Sequence, residues 1–175
     1  MMMKRTTQRL TIRPFEETDF KDVYSMYQNE ETCRYLLHEP WEEHDAREQF
    51  QKKLENNQLT KESSLSLAVL YEGKVVGDIS TFYTEMKDTV EIGYIFRADY
   101  SGKGLATEAV RALVEWLFYE KDIHRIQAYL DTRNTSSAKL CERIGMRKEG
   151  HYLQDFWNKG EWTDSFEYGM LREDL

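Results

Sequence analysis

The chain has 175 residues, of which 40% are hydrophobic and 13% aromatic, with a formal charge of −8. That length suits one domain of ordinary size, and the apolar and aromatic content excludes a disordered tail. The acidic balance argues against a nucleic-acid binder, which needs clustered Lys and Arg to release counterions, and suits a cationic partner such as an amine or a basic protein.

The opening, MMMKRTTQRL, lacks the apolar run of a signal peptide. RLTIRPF (9–15) reads as a strand closed by Pro14, and EETDFKDVYSMYQNE (16–30) as a helix, with Phe20, Val23, Tyr24 and Tyr27 at helical spacing. A more solvated helix is expected from His44 to Leu59. SLSLAVLYEGKVVGDISTFY (64–83) reads as two strands joined at Glu72-Gly73, and TVEIGYIF (89–96) as a third. The period then changes: Leu105, Ala109, Ala112, Leu113, Trp116 and Leu117 mark one face of a helix to about Lys121. RIQAYLDT (125–132) alternates Ile126, Ala128 and Leu130 with polar neighbours, a half-buried strand. NTSSAKLCERIG (134–145) opens on Asn134, a strong N-cap type, and closes at Gly145. Two strands turning at Asn158-Lys159-Gly160 end the chain. The order β-α-α-β-β-β-α-β-α-β-β predicts an α/β (α+β) mixed sheet flanked by helices.

No repeat, linker or low-complexity stretch interrupts this pattern, so residues 1–175 read as a single domain. No run of about 18 apolar residues occurs, so no membrane span is expected. Cys33 and Cys141 lie far apart, and His38, His44, His124 and His151 are scattered. Neither set has metal-ligand spacing, which predicts no metal site and a cytoplasmic protein with reduced thiols.

YSGKGLATEA (100–109) places Gly102 and Gly104 around Lys103, after a strand and before a helix. A helix start leaves backbone N–H groups unpaired and partly positive, so a glycine loop there can cradle an anion. The same glycines can also simply make a tight turn. The Walker pattern is absent, and so is G-x-G-x-x-G, since position 107 is threonine.

EIGYIFRADYSGKGLATEAV resembles the acetyl-coenzyme-A loop of the GNAT superfamily of N-acetyltransferases, and Asn134–Gly150 is similar to its second cofactor segment. QRLTIRPFEETD resembles the opening of the RimJ/RimL-like branch, which acetylates ribosomal-protein N-termini. The resemblance runs from about Gln8 to Leu171. It implies the GNAT acyl-CoA N-acyltransferase fold, a mixed, mostly antiparallel central sheet flanked by helices, with acetyl-CoA as co-substrate. The loop pattern Gln/Arg-x-x-Gly-x-Gly/Ala falls on Ser101-Gly102-Lys103-Gly104-Leu105-Ala106, with Thr107 next. Ser101 departs from it, although a backbone cradle does not need that side chain. The resemblance further implies that the strand holding Ile95 and Phe96 bulges and splays from its neighbour, so that its backbone meets pantetheine and the thioester oxygen. Asn134, Ser137 and Lys139 join the expected cofactor contacts, with Lys103 and Lys139 toward the phosphates.

Acetyl transfer needs a neutral amine, a stabilised oxyanion and help for the departing thiolate. A lysine amine is neutral at pH 7 about once in 2,500 molecules and an α-amine about once in seven, so an N-terminal acceptor asks less of a base. Many superfamily members carry an acidic tyrosine where this chain has Cys141. The RimJ/RimL-like N-x-x-Ser falls instead on Asn134 and Ser137, which makes Ser137 the candidate donor to sulfur. Glu91, before the bulge, and Asp155, in LQDFWNKG, are the candidate bases. Phe156, Trp157, Trp162, Phe166 and Tyr168 are split between an acceptor entrance and core. The sequence thus points to an acetyl-CoA-dependent N-acetyltransferase acting on a primary amine. The acceptor is either a protein N-terminus or a small polyamine-like or drug-like amine. A homodimer is compatible with the resemblance, and a non-catalytic acyl-CoA sensor is the alternative.

Overall fold

A computed structural model describes residues 3–175; Met1 and Met2, inside the domain expected over 1–175, lie outside the described residues. The strands are β1 (Arg5–Thr6), β2 (Leu10–Pro14), β3 (Leu65–Tyr71), β4 (Lys74–Tyr83), β5 (Thr89–Phe96), β6 (Arg125–Asp131), β7 (Arg147–Asn158) and β8 (Glu161–Leu171). They form one eight-stranded sheet in the order β1-β2-β3-β4-β5-β6-β8-β7. β5 and β6 pair parallel, and every other neighbouring pair is antiparallel. The β3–β4 and β7–β8 hairpins share one device: Glu72-Gly73 and Lys159-Gly160 each place two successive residues at positive φ. That geometry matches the strand twist of a two-residue turn. A parallel pair cannot be joined so tightly, and the chain crosses from β5 to β6 through a helix.

The helices are α1 (Phe20–Tyr27), α2 (Glu30–Cys33), α3 (Glu43–Glu55), α4 (Leu105–Tyr119) and α5 (Thr135–Arg143). The single helix expected over 16–30 is divided. A 3-10 turn (Glu17–Asp19) precedes α1, and α2 restarts where the Asn29 side chain accepts the Thr32 N–H at 2.9 Å. Asn29 is extended (φ −82°, ψ 124°), so the same cap that begins α2 ends the preceding helical run. α3 stops at Glu55 rather than Leu59, with Leu59 buried beyond its end. β1 was not legible, being only two residues paired to β2.

α4 is buried around most of its circumference: Val110, Val114 and Phe118 are as inaccessible as the expected Ala109, Leu113 and Leu117. One apolar stripe was expected, but the helix lies between the sheet and α5 and needs apolar cover on both sides. Ile126, Ala128 and Leu130 of β6 join this cluster. Phe15, Val23, Tyr27, Trp41 and Phe50 build a second cluster under α1–α3 on the opposite face. Truncating Leu113 to alanine should cost about 2–5 kcal/mol, the range for a buried leucine whose cavity collapses incompletely; a urea midpoint within error of the parent would contradict that placement. Among the described residues no helix is long and apolar enough to cross a membrane.

Candidate active site

β5 pairs with β4 from Val90–Tyr83 to Phe96–Gly77 with no register shift, so the bulge expected in β5 does not form in this pairing. The expected splay does. β5 meets β6 only through Thr89–Arg125, Val90–Ile126 and Glu91–Gln127, and Ile92–Phe96 have no partner on that side. Unpaired backbone N–H and C=O groups need partners, so this open edge is a ready binding strip. α4 follows β5 and α5 follows β6, which sets both helix N-termini at the carboxyl end of the splayed pair. Ile95 packs toward α1–α3, while the Phe96 ring lies over Gly77, where an added Cβ would come within 2.4 Å of it. Their side chains are spent on packing, and their backbone is what faces the gap.

Ser101, Gly102, Lys103 and Gly104 form an exposed loop. Gly102 (φ 78°) and Gly104 (φ 75°) both adopt the left-handed conformation that glycine takes at least cost. Gly104 is the N-cap of α4 and makes no side-chain cap bond. Leu105 is buried behind it, with Ala106 and Thr107 half-buried. The helix start therefore presents its N–H groups to solvent, and a Cβ built at Gly102 meets nothing within 4 Å. This fits the pyrophosphate of coenzyme A, with the splayed β5 edge left for its pantetheine arm.

The loop is braced from the other end of the chain by residues the sequence reading passed over. Arg9 donates from Nη1 to the Lys103 carbonyl at 2.8 Å and from Nε to Glu108 Oε2 at 2.8 Å. The Arg9 N–H and the Thr7 hydroxyl reach Glu108 Oε1 at 2.9 and 2.7 Å. Burial pushes the Glu108 carboxyl up, but the bonds from Thr7 and Arg9 outweigh it and hold the group below its ordinary value. Only the acidic residue in the first helical turn was visible locally; its partners lie about 100 positions away, beyond any periodicity. The Lys103 ammonium rests 5.0 Å from the Tyr100 ring centroid. Lys139 is exposed on α5, and the Thr107 hydroxyl accepts from Arg143 Nε at 3.1 Å, tying α4 to α5.

Across the splay, Asn134 caps α5, its Oδ1 accepting the Ser137 N–H at 3.3 Å. Ser137 Oγ lies 2.7 Å from Tyr94 Oη, and the same phenol oxygen lies 3.0 Å from Cys141 Sγ. Burial pushes the Cys141 thiol up to about 11, so it stays protonated, and burial likewise pushes the Tyr94 phenol well above its ordinary range. Cys141 is fully buried.

Glu91 points to the opposite face from Ile92 and Tyr94 and sits in the last β5–β6 pair before the splay. Burial pushes its carboxyl up, and repulsion from Glu167 adds to this against a 3.4 Å hydrogen bond donated by Gln127 Nε2. Glu167 in turn accepts from the Tyr152 hydroxyl at 2.8 Å. Asp155 lies elsewhere, on the exposed edge strand. There β7 bulges between Tyr152–Ser165 and Phe156–Thr163, with Gln154 at φ 49°. The aromatic group does not divide by alternation: Phe156, Trp157 and Trp162, beside the β7–β8 turn, are exposed, Phe166 is half-buried, and only Tyr168, paired with β6, is buried.

A model of the acetyltransferase (GNAT) domain matches residues 9–147. The uncharacterized N-acetyltransferase YnaD of Bacillus subtilis (strain 168) is 31% identical over 172 residues, covering 98% of this chain and 99% of that one. The crystal structure of a GNAT-family acetyltransferase from Bacillus anthracis superposes with a TM-score of 0.87 at 31% identity, over 98% and 99% of the two chains. RimL, a ribosomal L7/L12 α-N-protein acetyltransferase solved with coenzyme A, shares the fold at a TM-score of 0.85 and 17% identity over the whole of both chains. The splayed parallel pair, the glycine loop at the start of α4 and these full-length likenesses converge, and the chain belongs to the GNAT acetyltransferase family.

Proposed function

We propose that residues 1–175 work as one acetyl-CoA-dependent N-acetyltransferase domain that transfers acetyl directly to a primary amine. The observation that carries this reading is the gap between β5 and β6, flanked by the glycine cradle, by Ser137 and by Glu91. Bound acetyl-CoA supplies an acetyl group already activated as a thioester. Ser101–Thr107 hold the pyrophosphate through backbone N–H groups, with Lys103, Lys139 and Asn134 at the rims. Ile95 and Phe96 offer backbone groups along the gap. Glu91 takes the proton from the attacking nitrogen, a role its raised pKa favours because a base works best when poised near the working pH. Ser137 donates to the sulfur as it departs. Asp155, on the exposed bulge of β7, is the weaker candidate base.

For the acceptor, the reading is a protein N-terminus or a polyamine-like or drug-like amine. Relatives of both kinds support it. The spermidine N(1)-acetyltransferase of Vibrio cholerae is 23% identical, covering 89% of each chain, and RimL is named for a protein α-amine. Glu91 and Glu167 make the approach acidic, which suits either. Nothing in the fold or the relatives favours the non-catalytic sensor. A cytoplasmic location and a homodimer are proposed from the family resemblance alone.

The test is thiol release from acetyl-CoA across a panel of N-terminal peptides, polyamines and aminoglycoside-type amines. Turnover on at least one is expected, and tight coenzyme A binding with none would overturn the reading. Ser137→Ala should lower kcat about tenfold to hundredfold while leaving KM for acetyl-CoA within about twofold. An unchanged kcat would remove Ser137 from the chemistry.

A further inference from the structure

The helix position where the superfamily commonly supplies a phenol holds Cys141 here, yet a phenol oxygen occupies the space beside it. It comes from the other wall of the gap. Tyr94 of β5 reaches across to α5 and sets its Oη 3.0 Å from Cys141 Sγ, 2.7 Å from Ser137 Oγ and 3.1 Å from the Ser137 carbonyl oxygen.

From this geometry we infer that Tyr94 is a positioning residue for the transfer step, donating its phenolic proton to Ser137 Oγ so that the serine hydroxyl points its own proton at the departing sulfur. The inference rests on the proposed acetyltransferase reading.

The hydrogen-bond count favours this direction. The Ser137 carbonyl oxygen is a second acceptor within reach, but at 3.1 Å it is farther from the phenol than Oγ at 2.7 Å. The Ser137 N–H is taken by Asn134 Oδ1. The thiol is a weak donor and acceptor, so the strongest partner left for the phenol proton is Ser137 Oγ. A hydroxyl that accepts one hydrogen bond donates a stronger one, so the pair acts cooperatively. Burial keeps the phenol protonated throughout the physiological range. The titratable groups that face it are Cys141 of α5 and Tyr168 of β8, the latter donating to Glu142 at 3.0 Å. A buried tyrosinate would be costly, so Tyr94 keeps its proton and serves only to orient the serine.

The step balances without a proton from Tyr94. The amine nitrogen forms its bond to the acetyl carbon, the carbon–sulfur bond breaks, and its electron pair leaves on sulfur. The nitrogen's surplus proton goes to Glu91. The thiolate, held by the Ser137 hydroxyl, takes a proton from water.

The test uses coenzyme A itself as the probe, because its free thiol is the leaving group. Thiolate absorbance of bound coenzyme A, followed against pH, should show the thiol ionising about one unit lower on the wild-type enzyme than on Tyr94→Phe or Ser137→Ala. Tyr94→Phe should also lower kcat about tenfold with KM for acetyl-CoA nearly unchanged, and should have no further effect in the Ser137→Ala background. If Tyr94→Phe folds poorly, a fluorinated tyrosine placed at 94, which stays protonated in this buried site but is a stronger hydrogen-bond donor, should lower the bound thiol's pKa below that of wild type. Equal thiol pKa values in wild type and Tyr94→Phe, or additive losses in the double variant, overturn the inference. Failure of the underlying reading looks different: no acetyl transfer by the wild type on any amine, or no binding of coenzyme A.

Discussion

Gly104→Trp should abolish coenzyme A binding while leaving the fold intact. Gly104 holds φ at 75°, where any L-residue pays roughly 1–2 kcal/mol. It is also the N-cap of α4, so a side chain there stands in front of the N–H groups offered to the pyrophosphate. The loop is exposed, and a Cβ at this position meets only the Arg9 guanidinium, at an ordinary 3.5 Å, so the core is not disturbed. The dissociation constant by calorimetry should rise on the order of hundredfold or more, which corresponds to about 2.7 kcal/mol. Gly104→Ala separates the two costs, since it keeps the backbone strain and omits the bulk; its loss should be nearer tenfold. Binding by the tryptophan variant within about twofold of wild type would show that the phosphates lie elsewhere.

Glu91→Gln is expected to have the second largest effect, and in two directions. If Glu91 accepts the amine proton, its loss should reduce kcat by about a hundredfold or more. The wild-type rate should show an acid limb above the ordinary carboxylate range, because burial raises the pKa of this group. The glutamine variant should lack that limb. Stability should move the other way. A carboxyl raised above its unfolded value of about 4.3 favours folding fully below that value, and the contribution is lost as pH rises through the folded value. Glutamine does not ionise and still offers an oxygen to Gln127, so the variant should unfold at a higher urea concentration than wild type at pH 7, with the gain vanishing near pH 4. An inactive variant that is no more stable at neutral pH would point to structural damage. A fully active one would transfer the base role to another group, with Asp155 the next to test.

The elements read from the sequence with least error were those whose signal is local. The Glu72-Gly73 and Lys159-Gly160 turns, the Asn134 cap and the alternation in β6 each depend on a few neighbouring residues and reappear in place. The 16–30 segment was misread because Asn29 offers the backbone a competing hydrogen bond inside an otherwise periodic run. α4 was read as one-sided because periodicity reports which residues are apolar, not how many neighbours will cover them.

The site divides along the same line. The glycine loop was legible because its conformation is carried by backbone within a few consecutive residues. Its brace was not, since Thr7, Arg9 and Glu108 meet only when β2 lies beside α4. Glu91 was named as a base from its place in the strand, but the burial and the Glu167 carboxylate that raise its pKa belong to β6 and β8. Tyr94 carries no local signal that sets it apart from the rest of its strand, and Cys141 looked like a missing phenol. Only the packing of β5 against α5 shows that the phenol is present and arrives from the opposite side, 43 positions away in the chain. The sequence by itself therefore determined the hairpin turns, the Asn134 cap and the longer strand and helix runs, because each rests on local backbone geometry. Which side chains share a proton, which carboxyl is desolvated and how far β5 and β6 part were decided by the tertiary structure, because hydrogen bonding and burial act across space and leave no mark in local sequence.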